Sequence, residues 1–131
     1  MVGIKELDKL LKAMDPILIG KTFVFCTVSK KVYEKLGLDA VLSFKEAEGI
    51  TLVLEKDFAD KNNLSYEGIW SLITLNVHSD LSAVGFLAKI SEKLAAAGIS
   101  VNVVSAYYHD HLFVPADKTD KAMSVLKSLS K

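Results

Sequence analysis

Apolar residues recur at helical spacing at Leu7, Leu10, Leu11 and Met14, which predicts an amphipathic helix over residues 3–14, ended by Asp15-Pro16. Residues 22–28 read as a buried strand. Ser29 can cap a short helix running to Leu36, with Gly37 just past its end. Residues 40–45 and 50–54 read as strands around the turn Glu48-Gly49, and residues 55–63 as a helix turning Phe58 and Ala59 inward. The second half opens with a strand over residues 69–77. Ile69, Ile73, Leu75 and Val77 lie on one face and Trp70 and Leu72 on the other, so both faces need cover. Ala83, Leu87, Ile90, Leu94 and Ala97 form the stripe of a long helix stopped by Gly98. Strands over residues 99–105 and 111–115 flank a polar turn at residues 107–110. A last helix follows, capped by Asp117 or Thr119, with Ala122, Val125, Leu126 and Leu129 on its inner face.

The two halves echo one another. Residues 22–29 (TFVFCTVS) parallel residues 71–79 (SLITLNVHS), and residues 49–61 (GITLVLEKDFADK) parallel residues 110–122 (DHLFVPADKTDKA). Each half reads strand, helix, strand, strand, helix, a degenerate tandem repeat whose first copy has a much shorter middle helix. That order is a split βαβ unit, so the expected class is α+β, two ferredoxin-like modules with antiparallel sheets packed together. The expected division is residues 1–66, a shortened module with an N-terminal helix, and residues 67–131, a complete one. Each unit lacks a fourth strand. The first could use residues 64–66 or the strand after them, whereas nothing follows the last helix of the second. Exchange of edge strands or pairing with another subunit would cover the exposed edges.

Composition narrows the function classes. The 131 residues suffice for one compact domain or two small modules, and half of them are hydrophobic. Sixteen basic residues balance sixteen acidic ones, which argues against a dominant attraction to nucleic acid or anionic lipid. Every basic residue is lysine, so the fork that best reads phosphate and guanine is absent. The single cysteine, Cys26, reads as a core residue and excludes an internal disulfide. No apolar run approaches a membrane span and no signal core opens the chain, so a cytoplasmic protein is expected. No cofactor is implied: glycine-rich phosphate loops and serine-nucleophile motifs do not occur.

The residues 97–105 (AGISVNVVS), followed by Asp110-His111-Leu112-Phe113-Val114, resemble the second half of an ACT domain. They are similar to the regulatory ACT modules of aspartokinases. The wider set Val77-His78-Ser79, Val84-Gly85, Asn102-Val103-Val104 and residues 107–115 resembles small stand-alone tandem-ACT proteins. The resemblance is strong over residues 69–130 and looser before them. It implies a ferredoxin-like fold twice over and amino-acid binding without catalysis. In aspartokinase-like modules the ligand-contacting asparagine directly follows Ala-Gly-Ile. Here Ser100 stands there and Asn102 lies two residues on, about 7 Å along the strand.

The candidate chemistry gathers in the second half, which holds all three histidines. Backbone N–H groups of a helix starting at residues 80–83 would take a carboxylate. Asp80 or strand carbonyls would take an ammonium, though Asp80 or Ser79 could equally be the helix cap. Gly85 reads as a costly helix-interior glycine, set there for close approach of a ligand or for helix-on-sheet packing. His78, Asn102, His109 and His111 would select the side chain. The expected ligand-binding set is thus His78, Ser79, Asp80, Leu81, Val84, Gly85, Asn102, Ser105, His109, Asp110 and His111. The three histidines converging on one sheet rim could instead bind metal, as a metal protein or metal-dependent enzyme. A third reading is an oligomerisation module without a ligand. The first reading, a regulatory protein binding an amino acid or similar zwitterion, acting as a homo-oligomer, is the one the residues favour.

Overall fold

The computed structural model describes residues 6–131. The elements run α1 (Leu7–Ala13), β1 (Pro16–Val28), α2 (Lys30–Leu36), β2 (Leu42–Lys45), β3 (Ile50–Glu55), α3 (Lys56–Lys61), β4 (Trp70–Leu75), α4 (Phe86–Ala96), β5 (Asn102–Ser105), β6 (Asp110–Pro115) and α5 (Thr119–Leu129). The start of the predicted first helix lies outside the described residues. The chain forms two compact units, one of Lys21–Trp70 and the other of the residues up to Gly20 together with Ser71–Lys131.

In the smaller unit the strand order is β2-β3-β1. β3 lies antiparallel to both neighbours, with Leu52 opposite Cys26 and Ser43. One core forms from Val24, Cys26, Ile50, Leu52, Leu54 and Ala59, with Tyr33 and Phe58 against it. Burial pushes the Cys26 thiol up from its usual range, as suits a packing residue. Ser29 caps α2 as the sequence suggests, its hydroxyl accepting from the Val32 N–H at 3.2 Å. Gly37 is not the left-handed stop expected. It remains right-handed and leads into a 3-10 turn, Gly37–Asp39. A Cβ there would meet the Tyr33 ring at 2.6 Å, so space is what demands glycine.

In the larger unit β4, β6 and β5 lie side by side, and β1 borders β4. The sequence left this half without a fourth strand. Residues 16–20 of β1 supply it, and Asp15 O accepts from the Asn76 N–H at 3.2 Å where the two strands begin and end. β1 is therefore longer than the predicted 22–28, with Pro16 at its first position, where a missing N–H does least harm. α1 belongs here too. Leu10 and Met14 are fully buried in one core with Ile73, Leu75, Phe86, Ile90, Leu94, Leu112, Val114, Ala122 and Leu126. Gly98 ends α4 as predicted, at φ 76°. Its N–H bonds Ala95 O at 2.9 Å and the Ile99 N–H bonds Leu94 O at 2.9 Å, the paired closure of a Schellman motif. Neither Asp117 nor Thr119 caps α5: a 3-10 turn, Ala116–Lys118, leads into it, and the Thr119 hydroxyl donates to Ala116 O. No described helix is long and apolar enough to cross a membrane.

Candidate functional site

The predicted strand over 69–77 stops at Leu75, and α4 begins at Phe86, not at residues 80–83. The ten residues 76–85 between them form a loop folded by its own short contacts. Ser79 N–H bonds Val77 O at 3.1 Å and Ala83 N–H bonds Asp80 O at 2.9 Å. Asp80 Oδ1 accepts from the Ser82 N–H at 2.8 Å and from the Ser82 hydroxyl. That is an Asx turn, so this aspartate shapes the loop and caps no helix. Gly85 is the N-cap of α4 and not an interior residue. Its φ is 89°, in the left-handed region, while among the described residues a Cβ would meet only Leu7 Cδ2 at 3.9 Å. Conformation, rather than ligand approach or helix-on-sheet packing, therefore selects glycine.

A cleft of about 130 Å³ lies between this loop, the first turn of α4 and the starts of the β5–β6 hairpin turn. Ser79, Asp80, Leu81, Gly85, Ser105 and Asp110 line it, all from the expected set. Asp110 and Ser105 face each other across the β5–β6 ladder. Asp110 is buried at 5% exposure, and Ser79 Oγ donates to its Oδ2 at 2.9 Å. At the other end the N-cap of α4, Gly85, has no side chain with which to cap the helix. The N–H groups of a helix's first turn have no partner inside the helix, and the first-turn residues Phe86, Leu87 and Ala88 line the cleft. The cleft thus joins the partial positive end of an eleven-residue helix to a buried carboxylate.

The remaining members of the set lie elsewhere. Side chains alternate across a strand. Leu112 and Val114 point into the core beneath the helices, so Asp110 shares their face and His111 takes the opposite one. By the same parity Ser105 follows Val103 toward the helices, while Asn102 and Val104 face away. His111 Nδ1 pairs with Thr74 Oγ1 at 2.9 Å on that far face. Burial first, then His109, hold the His111 imidazole below its ordinary value, with Asp110 opposing. His78 packs its ring on Tyr108 at 5.5 Å, and its Nδ1 is buried without a hydrogen-bond partner among the described residues. Val84 is exposed, as are Leu81, Tyr107 and Tyr108.

The three histidines do not assemble as a metal centre. His109 and His111 rings stand 6.4 Å apart, His78 is on Tyr108, and no group of three His, Cys, Asp or Glu among the described residues could hold an ion. The sequence reading missed Ala83, Phe86, Leu87 and Ala88 as cleft residues. Their signal was Gly85-Phe86: a glycine directly before an apolar run also reads as an N-cap.

Comparison with protein-family models identifies an ACT domain over residues 2–71 and a second over residues 66–128. The chain belongs to the ACT-domain family, as a tandem of two such domains. A comparison with curated proteins finds no match. Among solved structures, a protein of unknown function from Vibrio cholerae, described as a possible transport protein, is 44% identical. It covers 98% of this chain and 99% of its own length, with a TM-score of 0.86. The ligand-free regulatory subunit of aspartate kinase from Thermus thermophilus is 13% identical, with 92% of this chain and 99% of that chain covered and a TM-score of 0.71. A protein from Agrobacterium tumefaciens is 16% identical over 88% of this chain and 87% of its own, with a TM-score of 0.68. These last two share the fold.

Proposed function

We propose that the protein is a regulatory module that binds a free amino acid, or a similar small zwitterion, in the cleft between residues 79–88 and the Ser105/Asp110 pair. One observation carries this reading: the uncapped start of α4 and the buried Asp110 carboxylate border the same cleft. Unpaired N–H groups at a helix start suit a carboxylate, and a buried carboxylate suits an ammonium. Membership of the ACT family supports it, since amino-acid binding for regulation is typical of these domains. We read the site as one of binding without chemistry. Its buried hydroxyl, Ser79, donates to a carboxylate rather than to a histidine base, so it is tied up as a donor and not activated as a nucleophile. Exposed Leu81, Val84, Tyr107 and Tyr108 beside the loop and turn would meet a second copy, and occupancy of the cleft would alter that surface.

Melting curves against the twenty amino acids test the reading. A ligand at about 100 times its Kd stabilises by roughly 2.7 kcal/mol. Titration calorimetry then gives one site per chain, since the residues that form the cleft occur in one repeat only. If no amino acid moves the melt, the proposal fails.

A further inference from the structure

We infer that Asp110 is the anchor for the ligand's ammonium group, and that the cleft accepts neutral and basic amino acids while turning away acidic ones. This rests on the amino-acid binding proposed above. Asp110 is 5% exposed, and the one hydrogen bond to its side chain among the described residues comes from the Ser79 hydroxyl at 2.9 Å. That donor is neutral, and no described lysine or histidine forms an ion pair with Asp110. Buried carboxylates are ordinarily paired with a cation or held by several N–H donors, because a lone charge away from water is strongly disfavoured. An ammonium entering the cleft supplies that pairing. Asp80, the other acidic residue of the lining, already has an oxygen engaged by two Ser82 donors and serves the loop.

The other repeat gives independent support. β3 and β6 have the same length and the same pattern of buried and half-buried positions, and Asp110 occupies in β6 the place of Ile50 in β3, one residue on from the Gly49 that the sequence parallel sets against it. Ladder partners agree: Ile50 faces Lys45 as Asp110 faces Ser105, each closing its hairpin. Ile50 is buried at 8% exposure, so this strand position is satisfied by a hydrocarbon. The carboxylate is therefore not a requirement of the fold. Among the described residues the lining also contains no lysine, only Asp80 and Asp110 as charged groups, so a second carboxylate on a ligand meets like charge.

The experiment titrates the full chain by calorimetry with the amino acid that gives the largest melting shift, and with its 2-hydroxy acid, which keeps the carboxylate and lacks the ammonium. The hydroxy acid should bind at least about 30-fold more weakly. Asp110→Asn should weaken the amino acid by a similar factor and leave the hydroxy acid unchanged. Its melting temperature without ligand should equal or exceed the parent's, because the amide oxygen still accepts from Ser79. L-Aspartate should bind at least about tenfold more weakly than L-asparagine. Affinity of D110N for the amino acid within about threefold of the parent overturns the inference. So does a hydroxy acid that binds equally well. Should D110N fail to fold, the analogue pair on the unaltered protein decides alone. If the unaltered protein binds no amino acid, the proposed function falls first, and this inference with it.

Discussion

The two repeats build the same strand and the same helix start from different residues. In the first, one residue separates β1 from α2, and that residue, Ser29, caps the helix with its own hydroxyl. In the second, ten residues, 76–85, separate β4 from α4, and the helix begins on a left-handed glycine with no side-chain cap. The matching strands carry Ile50 in one case and Asp110 in the other, both buried. Serine takes up the Val32 N–H at the helix start and isoleucine fills the core, so the first repeat has no buried carboxylate at the matching place. In the second, the start of α4 and the buried Asp110 carboxylate line one cleft. The cleft is thus an addition to a strand and helix start that the first repeat builds without it.

Four measurements break or sharpen that contrast. The largest effect is expected for Ile50→Asp, which puts the second repeat's carboxylate into the first repeat's core, where the serine matching Ser79, Ser29, is engaged as the cap of α2. Urea denaturation should show a loss of about 3 kcal/mol or more. A loss under about 1 kcal/mol would mean the two positions are interchangeable and would undo the contrast. Gly85→Ala comes next. At φ 89° an L side chain costs about 1–2 kcal/mol even though the space for it is there. Gly37→Ala provides the control, because its penalty arises from the Tyr33 ring and should vanish in the double variant Gly37→Ala, Tyr33→Leu.

Ser29→Ala removes the side-chain cap at the start of α2 and should cost about 1 kcal/mol, read from the same denaturation curves. An unchanged midpoint would show that α2 does not depend on its cap. The smallest effect concerns His111. Its imidazole titrates below its ordinary range in the folded chain, chiefly through burial. The folded state therefore binds fewer protons than the unfolded one across that window. The His111 contribution is complete above the unfolded value of about 6.5 and is lost as the pH falls through the lower folded value. His111→Phe should flatten the acid side of the stability–pH curve while keeping the ring's bulk. An unaltered slope would show that another group governs it.

Much of the architecture was legible before any coordinates. Periodicity located every helix and strand, because an amphipathic stripe or a two-faced apolar run is a local signal that packing seldom reverses. Ser29 and Gly98 punctuated their helices as read, since capping is decided by neighbours in the chain. The loop was harder. Ala83 and Leu87 fit the helical stripe, which predicts too early a helix start, and Val77 fits the strand pattern, which predicts too late a strand end. Apolarity alone does not distinguish a loop residue from a helix residue, and only Gly85 marks the helix start locally. The site list divided for a similar reason. Ser79, Asp80, Leu81, Gly85, Ser105 and Asp110 line the cleft, whereas Asn102 and His111 fall on the opposite sheet face. Strand parity was available in the sequence, but which parity faces the helices depends on which neighbour covers it.

By itself, then, the sequence determined a tandem of two α+β repeats, the asymmetry between them and the stretch in which the unusual polar residues gather. These follow from spacing and from side-chain chemistry, which a linear text contains. Only the tertiary structure decided that α1 and residues 16–20 complete the second unit, that the three histidines do not share a site, and that Asp110 is the buried carboxylate at the uncapped start of α4. Each depends on contacts between residues far apart in the chain, and burial of a charge is a property of what surrounds it, not of the residue that carries it.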